Sequence, residues 1–527
     1  MNIRCVRPAR RIGCDARPGW GRRRRQSLQG ALGTLCALLS LLAVVPRAQA
    51  FCGFFVSGAD AKLYNNASQV ALLRVGNRTA MTLSNNYQGP PEDFAMVVPV
   101  PVVLQKEQVK TLPANVFERI DRLSAPRLVE YGEQDPCYVR HLKYKKSGKM
   151  PARSAVEESA DAEGSARRHH VKIEAKFEVG EYQIFILSAK DSTGLDAWLR
   201  ENRYKIPAGA AAALAPYVRE QMKFFVAKVD IKKVHRDSHG FVVLSPLRFT
   251  FDSPELRLPV RLGLLNANGK QDLLIYVLHP SKRFEVANYP NVFIPTNIEV
   301  ADSVRQGFGS FYAELFDETL RRHNNRAVIT EYAWQASSCD PCPLPPLGAQ
   351  DVYLLGDESM AERGKQSGLS GDDDGGYYGD PVPYVLTRLH TRYDAKTLSD
   401  DLIFREAKPV VGGRANGSGG LGDSGARLTE DEENNFQGRY IIRHYWEGPV
   451  ACEAPQSGRW GGPPASVRAQ RAADAGDAQA ALDLANAPRG KVRLSTVVQS
   501  PVPLLGLSGK KRALRPKEKA QSATDED

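Results

Sequence analysis

The sequence predicts an α+β fold that is rich in β-strands, with mainly antiparallel sheets, a few amphipathic helices and long polar loop insertions. Short runs rich in Val, Ile, Phe, Tyr and Thr recur along the chain, and such runs favour strands. Tight-turn dipeptides separate several of these runs. Only three segments combine a helix start signal with apolar residues at helical spacing. Strands therefore form most of the predicted core.

The predicted strands are short, and turn-forming or polar residues separate them. In chain order they are residues 70–75, 78–83, 94–98, 138–144, 171–179, 182–187, 224–234, 247–251, 273–278, 328–334, 385–393 and 439–446. Gly76-Asn77 and Gly180-Glu181 are typical two-residue hairpin connections, and Asn268-Gly269 is a strong turn dipeptide. These connections predict antiparallel neighbours.

Three helices are predicted from their caps and apolar stripes. Asn115 is a cap for residues 116–123, and Glu118 is placed to complete a capping box. Ser192 or Thr193 begins the second helix, and Ser310 begins the third. The residues expected to face the core are Leu195, Trp198 and Leu199 in the second helix and Tyr312, Leu315, Phe316 and Leu320 in the third.

Composition divides the chain into three parts. Residues 1–50 join a basic segment to an uncharged apolar stretch and end with Ala48-Gln49-Ala50, which is the pattern of a cleaved signal peptide. Residues 51–452 form the predicted β-rich exported domain, as one unit or two halves. Polar surface insertions at 146–170, 357–383 and 408–435 interrupt it. Residues 453–527 are predicted to be a disordered polar tail.

The signal peptide accounts for most of the basic charge. Residues 1–50 hold ten Arg and one Asp, so their removal reduces the net charge from +11 to +2. The one dense basic cluster that remains, at residues 510–519, lies in the polar tail, and nucleic-acid binding is not predicted. No later apolar run is long enough to span a bilayer, so no transmembrane anchor is expected after cleavage. The predicted location is the periplasm, the cell surface or the medium.

Five cysteines follow residue 50, namely Cys52, Cys137, Cys339, Cys342 and Cys452. In an exported chain they are disulfide candidates, and the odd number leaves one thiol unpaired or intermolecular. The sequence leaves the pairing open. No other cysteine pair has the spacing of Cys339 and Cys342, so no metal site is predicted.

Cys339-Asp-Pro-Cys342 also has the spacing of thiol redox catalysts. In those catalysts a helix N-terminus lowers the pKa of the first thiol, but here Pro343, Pro345 and Pro346 interrupt a helix at that point. A local disulfide is favoured, and a thiol-disulfide oxidoreductase is the alternative.

Two predicted strands carry arginines on one face. Alternation along residues 385–393 places Arg388 and Arg392 opposite an apolar face, and Arg443 has the same position on residues 439–446. If these strands pair, the three arginines form a cationic patch suited to an acidic ligand. A solvated face balanced by nearby aspartates is the alternative.

Five short segments, in order, resemble the bacterial exported family known as domain of unknown function 2330. They are residues 51–55, 92–101, 194–199, 339–343 and 386–393, and they span about residues 52–394. The resemblance implies a bacterial cell-envelope or secreted protein. It implies no activity or site residues, because the family has no assigned reaction.

The combined prediction is an exported, disulfide-supported protein that acts as a non-catalytic binding or structural module. No catalytic residue and no cofactor are predicted. The partner is left open, and an anionic envelope polymer or another envelope protein would fit the arginine patch.

Overall fold

A computed structural model of the chain contains β-strands at most of the positions that the sequence predicts. It describes residues 54–55, 67–84, 95–113, 115–137, 167–168, 171–202, 204, 206–236, 242–266, 269–339, 342–361, 382–412, 429–430, 433–464, 489–490 and 492–510. The predicted signal peptide, Cys52 and the strand predicted at 138–144 lie outside these residues.

The strands account for most of the regular structure. The first nine are β1 (Phe54–Phe55), β2 (Ala67–Val75), β3 (Arg78–Leu83), β4 (Ala95–Val100), β5 (Val109–Thr111), β6 (Arg127–Glu133), β7 (Arg167–Arg168), β8 (Val171–Val179) and β9 (Tyr182–Ala189). The next nine are β10 (Lys223–Val229), β11 (His235–Arg236), β12 (Val242–Val243), β13 (Leu247–Asp252), β14 (Leu256–Leu258), β15 (Gln271–His279), β16 (Arg283–Val286), β17 (Asn291–Phe293) and β18 (Ile298–Glu299). The last are β19 (Val328–Gln335), β20 (Val385–Tyr393), β21 (Leu402–Ala407), β22 (Val410–Gly412), β23 (Thr429–Glu430), β24 (Asn435–Gln437), β25 (Arg439–His444) and β26 (Trp460–Gly461).

Helices are fewer than strands in the described part of the chain, as the sequence predicts. They are α1 (Asn115–Ser124), α2 (Ser192–Glu201), α3 (Ala210–Arg219), α4 (Phe308–Arg322), α5 (Ala349–Leu355) and the single turn α6 (Leu494–Val497). Asp191, rather than Ser192 or Thr193, caps α2, because its carboxylate accepts a hydrogen bond from the Gly194 backbone N–H. Glu118 pairs with Arg122 one turn later on α1.

An eleven-stranded sheet, here called the large sheet, organises the fold. Its strand order is β23-β22-β24-β19-β20-β15-β2-β3-β13-β5, with β17 also paired to β19. The pairs β15/β2, β17/β19 and β22/β24 are parallel, and the others are antiparallel. The predicted α+β class with mainly antiparallel sheets is confirmed. The strands come from both ends of the chain, so the two halves of the sequence interleave in this sheet.

The main hydrophobic core lies between the large sheet and a six-stranded antiparallel sheet of order β1-β4-β10-β9-β8-β7. Val70 and Leu72 of β2 face this core, whereas Ala71 and Leu73 face helices on the opposite side. Both faces of the large sheet are therefore covered, which explains why its strands are buried almost throughout.

Helices cover the outer faces of both sheets. Helices α1 and α5 pack on one part of the large sheet, and α4 packs on another. Helices α2 and α3 cover the six-stranded sheet through residues such as Leu199 and Leu214. Three smaller sheets complete the fold, with strand orders β18-β25-β6-β26, β14-β21-β16 and β11-β12.

The polar insertions are narrower than the sequence predicts. Asp357 caps a 3₁₀ turn at Glu358–Met360, and Met360 packs into the core beneath α1 and α5. Val410 of β22 is also buried, in the core around α4. The predicted bounds at 357 and 408 are wrong because the few apolar residues within these polar segments, such as Met360 and Val410, pack into the core. Residues 362–381 and 413–428 lie outside the described part of the chain.

The prediction of a disordered tail from residue 453 is wrong for residues 453–464, 489–490 and 492–510. Strand β26 pairs with β6, and the last segment, residues 489–490 and 492–510, is called here the C-terminal strap. Apolar residues of the strap pack against α4 at a spacing of three or four residues, and Val498 forms an antiparallel bridge with Val300. They are Leu494, Val498, Val502 and Leu505.

No helix within the described ranges is long and apolar enough to cross a lipid bilayer.

Candidate functional site

Five ionisable residues meet beneath the helices that cover the large sheet, and they are called here the buried ionic cluster. They are Asp121, Asp272, Glu331, Arg388 and His390. Arg388 and His390 share one face of β20 because they are two residues apart. Strands β15 and β19 flank β20 and contribute Asp272 and Glu331, and α1 contributes Asp121 from above.

A local irregularity accompanies Glu331. The register between β19 and β20 shifts between Thr330 and Tyr332, as in a β-bulge. Glu331 is the residue at this shift, and its side chain bonds those of Arg388 and His390. Because a bulge changes the direction of a side chain, it accounts for a carboxylate turning toward β20 within an otherwise apolar strand.

Arg388 links two carboxylates. Its Nε donates a hydrogen bond to Glu331 Oε2 at 2.5 Å, and its Nη1 donates to Asp121 Oδ1. The same Nη1 lies 3.3 Å from the hydroxyl of Tyr276, which itself donates to Asp121 Oδ1. Arg388 is 1% exposed, so these partners replace the water that would otherwise solvate its guanidinium.

His390 lies between two carboxylates. Its Nδ1 is 2.7 Å from Glu331 Oε1, and its Nε2 is 3.2 Å from Asp272 Oδ1. The ring stacks on Phe316 of α4 at a centroid distance of 3.9 Å. A neutral imidazole donates from one nitrogen only, so two carboxylate partners favour the doubly protonated, charged form.

The pKa shifts agree with this charge pattern. Burial alone would raise the pKa of Glu331, but the charges of His390 and Arg388 outweigh it and lower the pKa to about 2. Burial likewise opposes the charged form of His390, but Glu331 and Asp272 outweigh it and raise the pKa of the imidazole. Glu331 is therefore an anion near neutral pH, and its charge and that of Asp272 favour the cationic form of His390 more than water would.

The C-terminal strap extends the cluster toward the surface. Arg489 Nη2 lies 3.6 Å from Asp272 Oδ2, and Arg489 Nη1 lies 2.6 Å from Asp317 Oδ1 on α4. Arg392 Nη1 is 3.6 Å from the same Asp317 oxygen. Positive and negative groups thus alternate from α1 to the strap.

The geometry suits a structural role for the cluster. Each of its five members is at most 5% exposed. A solute has no direct access to them while α1, α4 and the strap are in place. The cluster instead ties one helix and three strands together through charge-assisted hydrogen bonds. Within the described residues, no three His, Cys, Asp or Glu side chains are arranged as metal ligands.

Two disulfides join the four cysteines that the structure describes. Cys137, just after β6, is bonded to Cys452, which follows β25, across a sequence separation of 315 residues. Cys339 is bonded to Cys342 in the loop between β19 and α5. Helix α5 begins only at Ala349, so neither cysteine of the second pair stands at a helix N-terminus. That helix position is the one that activates redox cysteines.

A protein-family model described as an uncharacterized protein conserved in bacteria (DUF2330) matches residues 46–405. The chain belongs to this family. The resemblance predicted from the five short segments is thereby confirmed. No curated protein and no solved structure matches the chain.

The DUF2330 match contains the whole buried ionic cluster and the Cys339–Cys342 pair. Cys452 and Arg489 lie beyond residue 405, as does β25. The cluster is thus part of the DUF2330 region, whereas the outer partner of Asp272 and one half of the long disulfide come from the sequence that follows it.

The predicted arginine patch is not formed in this DUF2330 protein. Strand β20 is in the large sheet, but β25 is in the four-stranded sheet, so the two strands do not pair. Arg388 is buried, Arg392 faces Asp317, and Arg443 lies 3.4 Å from Glu299 with its guanidinium over the Trp460 ring. Alternation identified the shared face correctly, but α1 and α4 cover that face. The basis for an anionic partner is lost with the patch.

Sequence reasoning missed the carboxylates of the cluster. Glu331 stands among the strand-forming residues of β19, and Asp121 stands on the face of α1 that carries Phe117 and Ile120. Asp272 follows the polar residues Lys270 and Gln271 and only precedes the apolar run of β15. An isolated carboxylate in an apolar pattern signals a buried partner of opposite charge. That signal was present for Glu331 and Asp121, but it does not say which cation each one meets.

Proposed function

We propose that this chain is an exported bacterial protein that works outside the cytoplasm as a non-catalytic binding or structural module. The observation that carries the proposal is the bond between Cys137 and Cys452. Disulfides persist in oxidising compartments and are rare in the bacterial cytosol. Together with the signal-peptide pattern of residues 1–50, the bond favours an exported protein.

The buried ionic cluster supports the non-catalytic part of the proposal. General acids and bases need hydrogen-bond access to a substrate, directly or through one water molecule. In the cluster, the imidazole of His390 and the carboxylate of Glu331 bond protein groups and are almost fully buried. We infer that their charges stabilise the packing of helices on the large sheet.

Fractionation of a bacterial culture that expresses the full chain tests export. We expect the protein outside the cytoplasm, with Phe51 as its first residue and with a peptide that contains linked Cys137 and Cys452. A variant with Leu38→Arg and Leu41→Arg interrupts the apolar run and is the matched control, which we expect to stay inside the cell. An unprocessed, reduced chain in the cytosol would reject the proposal.

The reduction potential of the Cys339–Cys342 bond distinguishes a structural role of this protein from an oxidoreductase role. A potential below about −300 mV supports a structural clamp. A potential between roughly −120 and −270 mV, together with turnover of a disulfide substrate, would instead support the oxidoreductase alternative. A variant with Cys339→Ser and Cys342→Ser controls for other thiols.

A further inference from the structure

A cavity of about 200 Å³ opens at the edge of the main core, where the large sheet and the six-stranded sheet come together. Its floor comes from both sheets: Met81 and Phe251 belong to β3 and β13, and Pro99 belongs to β4. Met222 lies just before β10 and closes another side. Ligand pockets are typically concave and mostly apolar, with a few polar groups that orient the ligand.

The floor of this cavity is suited to a short apolar chain. Met81 and Phe251 are at most 5% exposed and are part of the main core. Methionine adapts its shape to different contacts, and proline offers no backbone N–H to a polar ligand. The volume is below the roughly 300 Å³ of pockets for drug-sized molecules, so it fits a chain of a few carbon atoms.

The mouth of the cavity carries a negative charge. Arg257 Nε donates to Glu255 Oε2 at 2.7 Å, and Arg257 Nη1 donates to Glu220 Oε2. Two carboxylates against one guanidinium leave a net charge of −1. Glu220 and Glu255 are nearly half exposed, and no described residue donates a hydrogen bond to the Oε1 of either one. Each therefore has an oxygen available to a ligand.

We propose that this cavity binds an alkylammonium group, with the apolar chain on the Met81 and Phe251 floor and the charge at the Glu220 and Glu255 mouth. An anion would be repelled by the net charge of the mouth, and a neutral chain would leave the exposed carboxylate oxygens unused. The group belongs to a free amine or to a lysine side chain of a partner protein. The inference deepens the proposed binding role and rests on it.

Methyl NMR of the purified, oxidised protein tests the site. The chain has six methionines, so ¹³C-labelled methionine methyls give few signals. We expect butylammonium to shift the Met81 and Met222 signals saturably, while Met360, in the core beneath α1 and α5, stays unchanged. Butyrate should not compete. Nα-acetyl-lysine amide keeps its side-chain ammonium and represents a lysine of a partner protein. Tighter binding of this compound than of butylammonium would identify a protein partner. Tighter binding of butylammonium would identify a free amine.

Charge variants give effects of opposite sign. Replacing Glu220→Gln and Glu255→Gln should weaken butylammonium binding about fivefold or more, as expected for lost ion pairs. Arg257→Gln should strengthen it, because the mouth becomes more negative. Glu118→Gln is the matched control, since that carboxylate is similarly exposed and pairs with Arg122 on α1, on the opposite face of the large sheet. Equal binding of butyrate, or no saturable Met81 shift, would overturn the assignment. Neither result depends on export, which fractionation tests separately.

Discussion

At the scale of single residues, Arg388 shows how a charge is kept in a protein interior. Burying an ion is costly, and the cost is offset only when its partners are close and well oriented. Arg388 has two carboxylates and a tyrosine hydroxyl, all of them buried. Loss of the guanidinium would leave Asp121 with only the hydroxyl of Tyr276 and Glu331 without the cation that bonds its Oε2.

We therefore expect Arg388→Met to reduce the free energy of unfolding by about 3–5 kcal/mol, the usual loss when one partner of a buried pair is removed. Arg321→Met is the matched control. Arg321 pairs with Glu318 but its side chain is 64% exposed, so its loss should cost no more than about 1 kcal/mol. Urea unfolding of both variants measures the difference, and equal losses would show that the cluster contributes no more than a surface pair.

His390 gives the cluster a dependence on pH. Its folded-state pKa is raised above the ordinary 6.5, so its stabilisation is fully present below pH 6.5 and is lost as pH rises through the raised value. Glu331 acts in the opposite range: its stabilisation is present above its ordinary pKa of 4.5 and is lost as pH falls toward about 2. The cluster should be most stabilising between pH 4.5 and 6.5.

The test is the slope of the unfolding free energy against pH, measured with urea between about pH 6 and 9. We expect the slope to be more negative for the wild-type protein than for His390→Gln, which has no proton to release. His279→Gln is the control. Burial lowers the pKa of His279, so this histidine changes the slope of the unfolding free energy against pH in the opposite direction. Parallel slopes for wild type and His390→Gln would contradict the assignment.

At the scale of elements, two hairpins have the turns that their glycines predict. The connections β2/β3 and β8/β9 are both two residues long, and Gly76 and Gly180 have φ values of +56° and +55°. Their surroundings differ. A Cβ at Gly180 would lie 2.8 Å from Thr111 Cγ2, whereas a Cβ at Gly76 would have no neighbour within 4 Å.

This pair of glycines separates backbone strain from steric contact. Gly76→Ala should cost about 1–2 kcal/mol, because an L-residue is strained at positive φ. Gly180→Ala has the same strain and must also displace Thr111, so we expect a larger loss. Thermal unfolding of both variants gives the comparison. If Gly180→Ala also carries Thr111→Ser, the excess should shrink, and an unchanged excess would contradict the contact.

Local chemistry explains which parts of this fold were predictable. Gly76-Asn77 and Gly180-Glu181 specify their turns within a few residues, and both hairpins are present. The environment of Arg388 depends on α1, which is far away in sequence, so alternation along β20 gave its face but not its burial. The strap was missed for a similar reason, since Leu494, Val498, Val502 and Leu505 are isolated apolar residues until α4 provides their partner.

At the scale of the whole molecule, the Cys137–Cys452 bond limits how far the unfolded chain can expand. Closing a long loop removes much of the entropy of the unfolded state, and such bonds typically contribute about 2–4 kcal/mol. Cys339 and Cys342 are only three residues apart, so their bond restricts the unfolded chain far less.

We expect the variant with Cys137→Ser and Cys452→Ser to unfold at a clearly lower urea concentration than the oxidised wild type. The variant with Cys339→Ser and Cys342→Ser is the matched control and should lose less stability. Urea midpoints under oxidising conditions measure both. A larger loss for the short pair would mean that its loop, rather than chain expansion, determines the stability.

The long bond also has a consequence for the order of events during synthesis. Cys137 leaves the ribosome well before Cys452 exists, and Cys339 and Cys342 become available between them. Any bond that Cys137 forms with those earlier thiols has to be exchanged before β25 and the chain after it can take their positions. The native pairing is reached only if the Cys137 thiol stays reduced until Cys452 is available, or if non-native disulfides are exchanged. Folding of this protein is thus coupled to the thiol chemistry of the compartment in which it takes place.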